Sequence, residues 1–377
     1  MIYLDHSATT PVDPRVTEAM LPWFTTHFGN PSSIHEVGRT ARVAVDEARQ
    51  EIAHAIGAHP AELIFTSGGT ESNNAVIHGA IVRSQIAHSV YCGATEHHAV
   101  LDPVHWMMGQ GAQAGILPVT ESGELVWDEV ALHNAPDTLL SVMHVNNETG
   151  CIHNIAKVRQ HAPDAVIHTD AVQSLGKLPI AMAELGADFA SFSAHKINGP
   201  KGIGALFIRK GIDFKAYQQG GGQERNRRSG TEAVALIVGF SHAVRYAMNE
   251  FEQRTGKLRE LNSHLRDLIS AVIPQARINS SSAGAPHIVN ISFPEMDATH
   301  GESLIQMMDI HGIAVSSGSA CVSGSQQPSH VLLAMGRSRN EASATVRFSL
   351  SHLTTVRELD DAVAILNRVI RDMCANT

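Results

Sequence analysis

The stretch 62-ELIFTSGGTESNNAVIHGA-80 runs from a short apolar strand pattern through two glycines into a segment of helical period that begins at Thr70. Strand, glycine turn and helix together form the repeating unit of a parallel sheet covered by helices. The unpaired N–H groups of a helix start, approached closely over glycine, make an anion site, here for a phosphate. A plain N-cap by Ser67 or Thr70, with Glu71 in the first turn, fits the same residues. The segment matches neither the Walker pattern nor G-x-G-x-x-G, which argues against ATP and NAD.

Outward from this unit the pattern repeats. Apolar runs at 87-AHSVYCG-93, 138-TLLSVMHV-145, 164-DAVIHTD-170, 187-ADFASFSA-194 and 203-IGALFIRK-210 alternate with longer segments of helical period. The fold class is therefore α/β with a mostly parallel sheet. Five of the six runs end in polar, chemically capable residues: Thr66 to Thr70, Glu96 and His97, Asn146 and Asn147, Asp170 and Gln173, His195 and Lys196. Ligands of open parallel sheets lie beyond the carboxyl ends of the strands, so these clusters are expected to outline one pocket. Helical stretches include 38–57, with Val43, Ala44, Ala48, Ile52, Ala55 and Ile56 on one stripe, then 255–273 and 358–374. Beyond residue 255 new strands at 286-PHIVNISF-293 and 312-GIAVSS-317 suggest a smaller α+β domain. The Gly-rich 220-GGGQERNRRSGTE-232 reads as a structured loop between the parts.

Bulk properties exclude some classes. With 377 residues and a net charge of −9, the chain has a large core to bury, and its one dense basic run, 225-RNRRS-229, leaves room for a local basic patch but is too short for a polybasic arm, so direct nucleic-acid binding is not expected. The opening MIYLDHSATTP lacks a secretory pattern, and no apolar run is long enough to span a bilayer. Four widely spaced cysteines, Cys92, Cys151, Cys321 and Cys374, suit a reducing, cytoplasmic setting rather than a disulfide framework or structural zinc. With no H-E-x-x-H and no close Cys/His cluster, no metal is expected.

Three residues carry candidate chemistry. Asp170 ends what reads as a buried strand, where a carboxylate needs a cation or donors; a protonated ring nitrogen would serve, and so would an N-cap role for a helix at Ala171. Lys196, in 191-SFSAHKINGPKGIGA-205, sits where an apolar strand meets a Gly/Pro turn, and a desolvated lysine becomes a nucleophilic amine suited to Schiff-base chemistry. His97 is placed to stack on a planar ring and move protons near neutral pH. Schiff-base lysine, aspartate for a pyridinium nitrogen and a helix-start phosphate site are together what pyridoxal 5'-phosphate requires. Cys321 stands apart in 316-SSGSACVSGSQQPSH-330, a Ser/Gly-rich arm that offers a thiol almost nothing apolar to pack on.

With SAHK and SSGSAC in one chain, alongside YLDHSATTP, FGNPSS, FTSGGTESNN, VNNETG, TDAVQSLGK and VRFSLS, the sequence resembles the class I cysteine desulfurases, the NifS/IscS group, of the pyridoxal-phosphate-dependent class V aminotransferase family. The resemblance covers nearly the whole length. It implies an aspartate-aminotransferase-like fold (PLP fold type I): a large domain at 15–255 built on a mostly parallel seven-stranded sheet, and a small domain of 1–14 and 256–377 carrying a mobile cysteine loop at 316–330. It implies catalytic roles for Cys321, Lys196 and His97. Gly69, Thr70, His97, Asn147, Asp170, Gln173, Ser193, His195 and Lys196 would hold the cofactor, joined by Thr231 from the second subunit of a homodimer. Asn147 and Arg347 would bind the substrate.

The activity so implied is conversion of L-cysteine to L-alanine. The sulfur passes as a persulfide on Cys321 to an acceptor protein for iron–sulfur cluster assembly, tRNA thiolation or DNA sulfur modification. Cys321 would also be open to transient ligation of an iron–sulfur cluster. Two departures from the group stand out: His352 where a second arginine is common, and an end at Thr377 without the C-terminal extension some members use to dock a scaffold. An aminotransferase on the same fold would have no use for Cys321, and a catalytically idle platform would have no need of Lys196 and Asp170 together.

Overall fold

The structure is a computed structural model and describes residues 1–79, 86–318 and 327–375. Its strands, in chain order, are β1 (Ile2–Tyr3), β2 (Leu63–Thr66), β3 (Ser89–Gly93), β4 (Gln113–Leu117), β5 (Thr138–Ser141), β6 (Val166–Asp170), β7 (Phe189–Ser193), β8 (Gly204–Ile208), β9 (Arg277–Ile278), β10 (Ile288–Ser292), β11 (Ile313–Ala314) and β12 (Thr345–Ser349). Seven of them form one sheet in the order β2-β8-β7-β6-β5-β3-β4. All neighbours are parallel except β8, which runs antiparallel to β2 and β7. Both faces are covered, as a parallel sheet requires. On β2, Ile64 joins one apolar cluster while Leu63 and Phe65 join the other.

A second group of elements has its own core. β12-β10-β9 make an antiparallel sheet, and β1 pairs with β11 in parallel. Their apolar residues, with Leu258, Leu261 and Leu265 of the helix Phe251–Val272 and Leu359, Val363 and Leu366 of the helix Val356–Ala375, bury one another and Leu4. The N-terminal segment crosses between the two groups. Ser7 N donates to Ser349 Oγ (2.8 Å) on one side, and Thr10 N donates to His195 O (3.0 Å) on the other.

Two expectations are corrected. Strand β4 lies where no strand was expected; it is an edge strand whose residues are mostly half-exposed, so QAGIL shows neither a buried run nor clean alternation. On the helix Glu36–Ala55 the buried stripe runs through Ala41, Ala44, Val45, Ala48 and Ile52, and Val43 faces outward, 54 % exposed.

The 220–232 segment is anchored by a buried ion pair. Arg49 donates to both carboxylate oxygens of Glu224 (2.7 and 2.9 Å), and Glu224 also accepts from Phe65 N (3.1 Å) on β2. These bonds hold Glu224, Arg225 and Asn226 in left-handed backbone with φ of 50, 57 and 64°, a conformation that is unfavourable for non-glycine residues. Glu232 lies beside the same guanidinium at 3.9 Å. Arg49→Met therefore leaves the buried Glu224 carboxylate without its cation, while Glu232 keeps Arg42 at 3.6 Å, and is expected to cost about 3–5 kcal/mol. Urea unfolding measures this directly, and a loss under about 1 kcal/mol would contradict the anchoring role.

Candidate active site

The strand ends converge as parallel-sheet geometry requires. A cavity of about 400 Å3 opens there, lined among others by Gly69, Thr70, His97, Asn147, Asp170, Gln173, Ser193, His195, Lys196 and Arg347. Nine of these ten are the residues expected to hold the cofactor, and the tenth is the expected carboxylate clamp. Thr231 is not among them. It is exposed and lines a neighbouring cleft with Ser67, Gly202, Arg228 and Glu232. Cys321 lies outside the described residues, as does most of the expected mobile loop.

At one end the helix Gly69–His78 begins without a side-chain cap, so neither Ser67 nor Thr70 takes that role. Gly68 has φ +155°, and a Cβ on Gly69 would come within 2.6 Å of Val172. Only glycine brings this helix start so close to the turn after β6. Ser193 and His195 face the same opening. The surroundings hold His195 neutral, its pKa pushed down to about 4 by burial and then by Lys196 and Lys201. Uncapped N–H groups, a hydroxyl and an imidazole make a donor set for a phosphate.

Across the cavity floor, Asp170 ends β6. Its Oδ1 accepts from Val172 N (3.0 Å), and its Oδ2 accepts from Asn73 Nδ2 (2.6 Å). Residues 171–177 form turns rather than a helix, so Asp170 caps a turn and still lines the cavity. Beside it, Gln173 Nε2 donates to Ser7 O (3.0 Å), while its Oε1 meets Lys177 Nζ (3.1 Å) and His287 Nε2 (3.2 Å). Below the carboxylate strand, His168 is fully buried between Ser141 Oγ and Ser191 Oγ, and burial alone pushes its pKa down to about 3.

Lys196 projects from the turn after β7. Its Nζ donates to Ser7 O (2.5 Å) and Ala8 O (2.7 Å). Desolvation first, and then the nearby Arg347, lower its pKa to about 8, against the opposing pull of Asp5 and Asp170. His97 caps the helix His98–Gly109, its Nδ1 accepting from Ala99 N (3.0 Å). That bond leaves the proton of the neutral ring on Nε2. Burial lowers the His97 pKa, and Asp170 partly opposes the shift.

At the other end Arg347, on β12, donates to Asp5 Oδ1 (2.7 Å) and to Asn147 O (2.9 Å). Its Nε has no partner among the described residues. Arg347 also pairs through its backbone with Ser316, at the start of the cysteine segment. Past that segment, Ser329 Oγ donates to Glu148 Oε2 (2.5 Å), and Gly318 packs on the same carboxylate. His352 is not among the lining residues.

Several cavity residues were not anticipated: Asn73, Ser7, Ala8, Glu148, Ser316 and His330. Asn73 was readable only as part of a helical stretch, and Ser7 and Ala8 act through main-chain carbonyls, which a sequence pattern does not reveal.

The donors fit pyridoxal phosphate. A phosphate cradle, a carboxylate, an amide, an amine and an imidazole surround one cavity, and the lining residues Ser7 and Asn73 each keep a buried oxygen without a partner among the described residues. Fold and site define a PLP enzyme of fold type I. The Aminotransferase class-V family matches residues 2–361. A cysteine desulfurase IscS from Dictyoglomus turgidum is 42% identical over 99% of this chain and 95% of its own. A solved NifS-like protein superposes with a TM-score of 0.89 at 33% identity, covering 98% of this chain and 99% of the other. A structure described as SspA in complex with cysteine gives 0.80 at 32%, covering 94% and 100%. The chain belongs to the class-V aminotransferases and, within them, to the PLP-dependent cysteine desulfurases.

Two outcomes follow from the site's electrostatics. In cofactor-free protein, the pH profile for acylation of Lys196, read by peptide mass spectrometry, should have its midpoint near 8, and Arg347→Leu should move it upward; a midpoint above about 10, as for an ordinary lysine, would contradict the geometry. Because the folded His168 pKa lies below its unfolded value, the unfolded chain binds more protons between about pH 6.5 and the folded pKa. Stability should therefore fall as pH drops through that window, with urea midpoints declining below about pH 6.5.

Proposed function

We propose that this chain converts L-cysteine to L-alanine and carries the removed sulfur as a persulfide on Cys321, from which an acceptor protein takes it. The observation that carries the reading is the single cavity faced by the Lys196 amine, the Asp170 carboxylate, the His97 imidazole and the Arg347 guanidinium. Pyridoxal phosphate, when bound, supplies the electron sink that makes the substrate's Cα proton removable.

The protein's own groups do the rest. The helix start at Gly69 and Thr70, with Ser193 and His195, would hold the phosphate; Asp170 would keep the ring nitrogen protonated; Gln173 would meet the ring oxygen. Arg347 and Asn147 orient the substrate carboxylate, which guanidinium binds well. Lys196, with its lowered pKa, takes and returns the Cα proton at Nζ, and His97 serves protons from Nε2. The Cys321 thiolate forms an S–S bond to the substrate sulfur as the Cβ–S bond breaks, its electron pair remaining with the substrate carbon, which is then protonated. Sulfur is thereby moved without any external oxidant.

Thr231 completes the phosphate site of a second copy in a homodimer. The run of exposed Leu21, Phe24, Phe28, Ile34, Val37 and Val43 supports such pairing, since a solitary chain seldom leaves so many large apolar residues in water. The separate apolar cores support a division into a large domain at 15–255 and a small one of 1–14 and 256–377. A cytoplasmic setting accords with the free Cys92 and Cys151 and with the lack of any helix, among the described residues, long and apolar enough to cross a membrane. The acceptor serves iron–sulfur cluster assembly, tRNA thiolation or DNA sulfur modification.

The test is sulfide and alanine release from L-cysteine with a reductant present. Wild type should release both in equal amounts, and Cys321→Ala should retain the visible cofactor spectrum while losing sulfide by at least about 100-fold. Turnover of Cys321→Ala at the wild-type rate would overturn the assignment.

A further inference from the structure

The proposed chemistry gives no role to Lys177, although it is the third cation of the cavity region. Part of the residue remains accessible, yet its ammonium is crowded by protein, and burial followed by Lys196 and Arg347 pushes its pKa down to about 7. No carboxylate is paired with it among the described residues; its partner is the Gln173 side chain. Such a placement of a lysine is costly unless its contact does something.

The contact fixes which way the Gln173 amide faces. Ser7 O can only accept, so the amide nitrogen must be the end that meets it at 3.0 Å. The oxygen end then meets Lys177 Nζ at 3.1 Å and His287 Nε2 at 3.2 Å, both of which can donate. With Oε1 engaged by two donors and one amide hydrogen spent on Ser7, the second amide hydrogen is the group Gln173 has left for the cavity it lines. The flipped amide would set nitrogen against the Lys177 ammonium, which can only donate, and oxygen against the Ser7 carbonyl, losing both of those hydrogen bonds together.

We propose that Lys177 is a positioning residue that holds Gln173 as a hydrogen-bond donor toward bound pyridoxal phosphate, so that the ring oxygen it meets is stabilised in its anionic form. This rests on the cofactor assignment above. Polarisation along the chain Lys177, Gln173, ring oxygen strengthens the last bond. A donor on that oxygen lowers its basicity, so the proton shared at that end of the cofactor leaves at lower pH than it would otherwise. The charged and titratable groups facing Lys177 are Lys196, Arg347 and His195 from the cavity, His6 from the N-terminal segment and His287 before β10.

The experiment is a pH titration of the visible absorption band of the loaded protein without substrate. Lys177→Met should raise the midpoint by on the order of one unit. Lys177→Gln, which loses the charge but keeps an amide donor for Gln173, should raise it clearly less. In a Gln173→Leu background the Lys177→Met shift should largely vanish, because the two residues act in series. An equal shift for Lys177→Met and Lys177→Gln, or the full shift persisting without Gln173, would mean that Lys177 acts only as a charge through space and would overturn the proposal. No shift at all would do the same. Absence of a visible band from wild-type protein loaded with pyridoxal phosphate would instead remove the cofactor assignment, and the proposal with it.

Discussion

The site depends on keeping the Asp170 carboxylate charged in a place where water is scarce. Asn73 and Val172 N each give it one hydrogen bond, and in the proposed reading a cofactor ring nitrogen would supply the proton-bearing partner that a buried anion needs. The position of the carboxylate is set by β6, at the centre of the seven-stranded sheet, and the sheet is set by apolar clusters on both faces. Around Asp170, with Asp5 and Glu148 nearby, the protein gathers cations and neutral donors: Lys196, Lys177 and Arg347, with His97, His195 and His287 kept neutral by burial. Their mutual repulsion and desolvation lower the lysine pKa values. Burial is the larger cause of both shifts, and the repulsion adds to it.

The N-terminal segment joins the two parts of the machinery. It is tied to Ser349 of the small sheet and to His195 beside the phosphate opening, and between those ties its carbonyls at Ser7 and Ala8 hold the amine of Lys196. Ser7 O also takes the Gln173 amide. Arg347 is likewise connected in two directions, to Asn147 and Asp5 through its side chain and to Ser316 through its backbone. The residue proposed to bind the substrate carboxylate thus shares a strand pairing with the start of the segment that carries Cys321.

Residues that make their own local pattern were legible in the sequence. Six strands of the large sheet could be read because each is a short apolar run, and residues after the five that run the same way reach the cavity because their ends share one side of the sheet; β8 runs antiparallel and contributes none, and Glu96 and Asn146 stay buried behind the lining. The edge strand β4 was not legible, since an edge mixes exposed and buried positions without a period. Val43 was assigned to the wrong face because small and β-branched residues on both sides of Glu36–Ala55 blur the stripe. The supporting residues escaped for a different reason. Asn73 meets Asp170 across 97 residues, and His287 meets Gln173 across 114, so no local spacing announces either pair. Assigning roles to Thr231 and Cys321 drew on family resemblance rather than on any pattern of period or spacing.

In the proposed reaction, sulfur leaves cysteine onto Cys321. The most direct measurement exposes the loaded protein to L-cysteine without reductant, then quantifies both alanine and the mass of the peptide containing Cys321. One added sulfur atom is expected on that peptide, reversible by reductant, with one alanine formed per sulfur gained. Alanine formed in amounts that exceed the enzyme while the Cys321 peptide stays unmodified would contradict it.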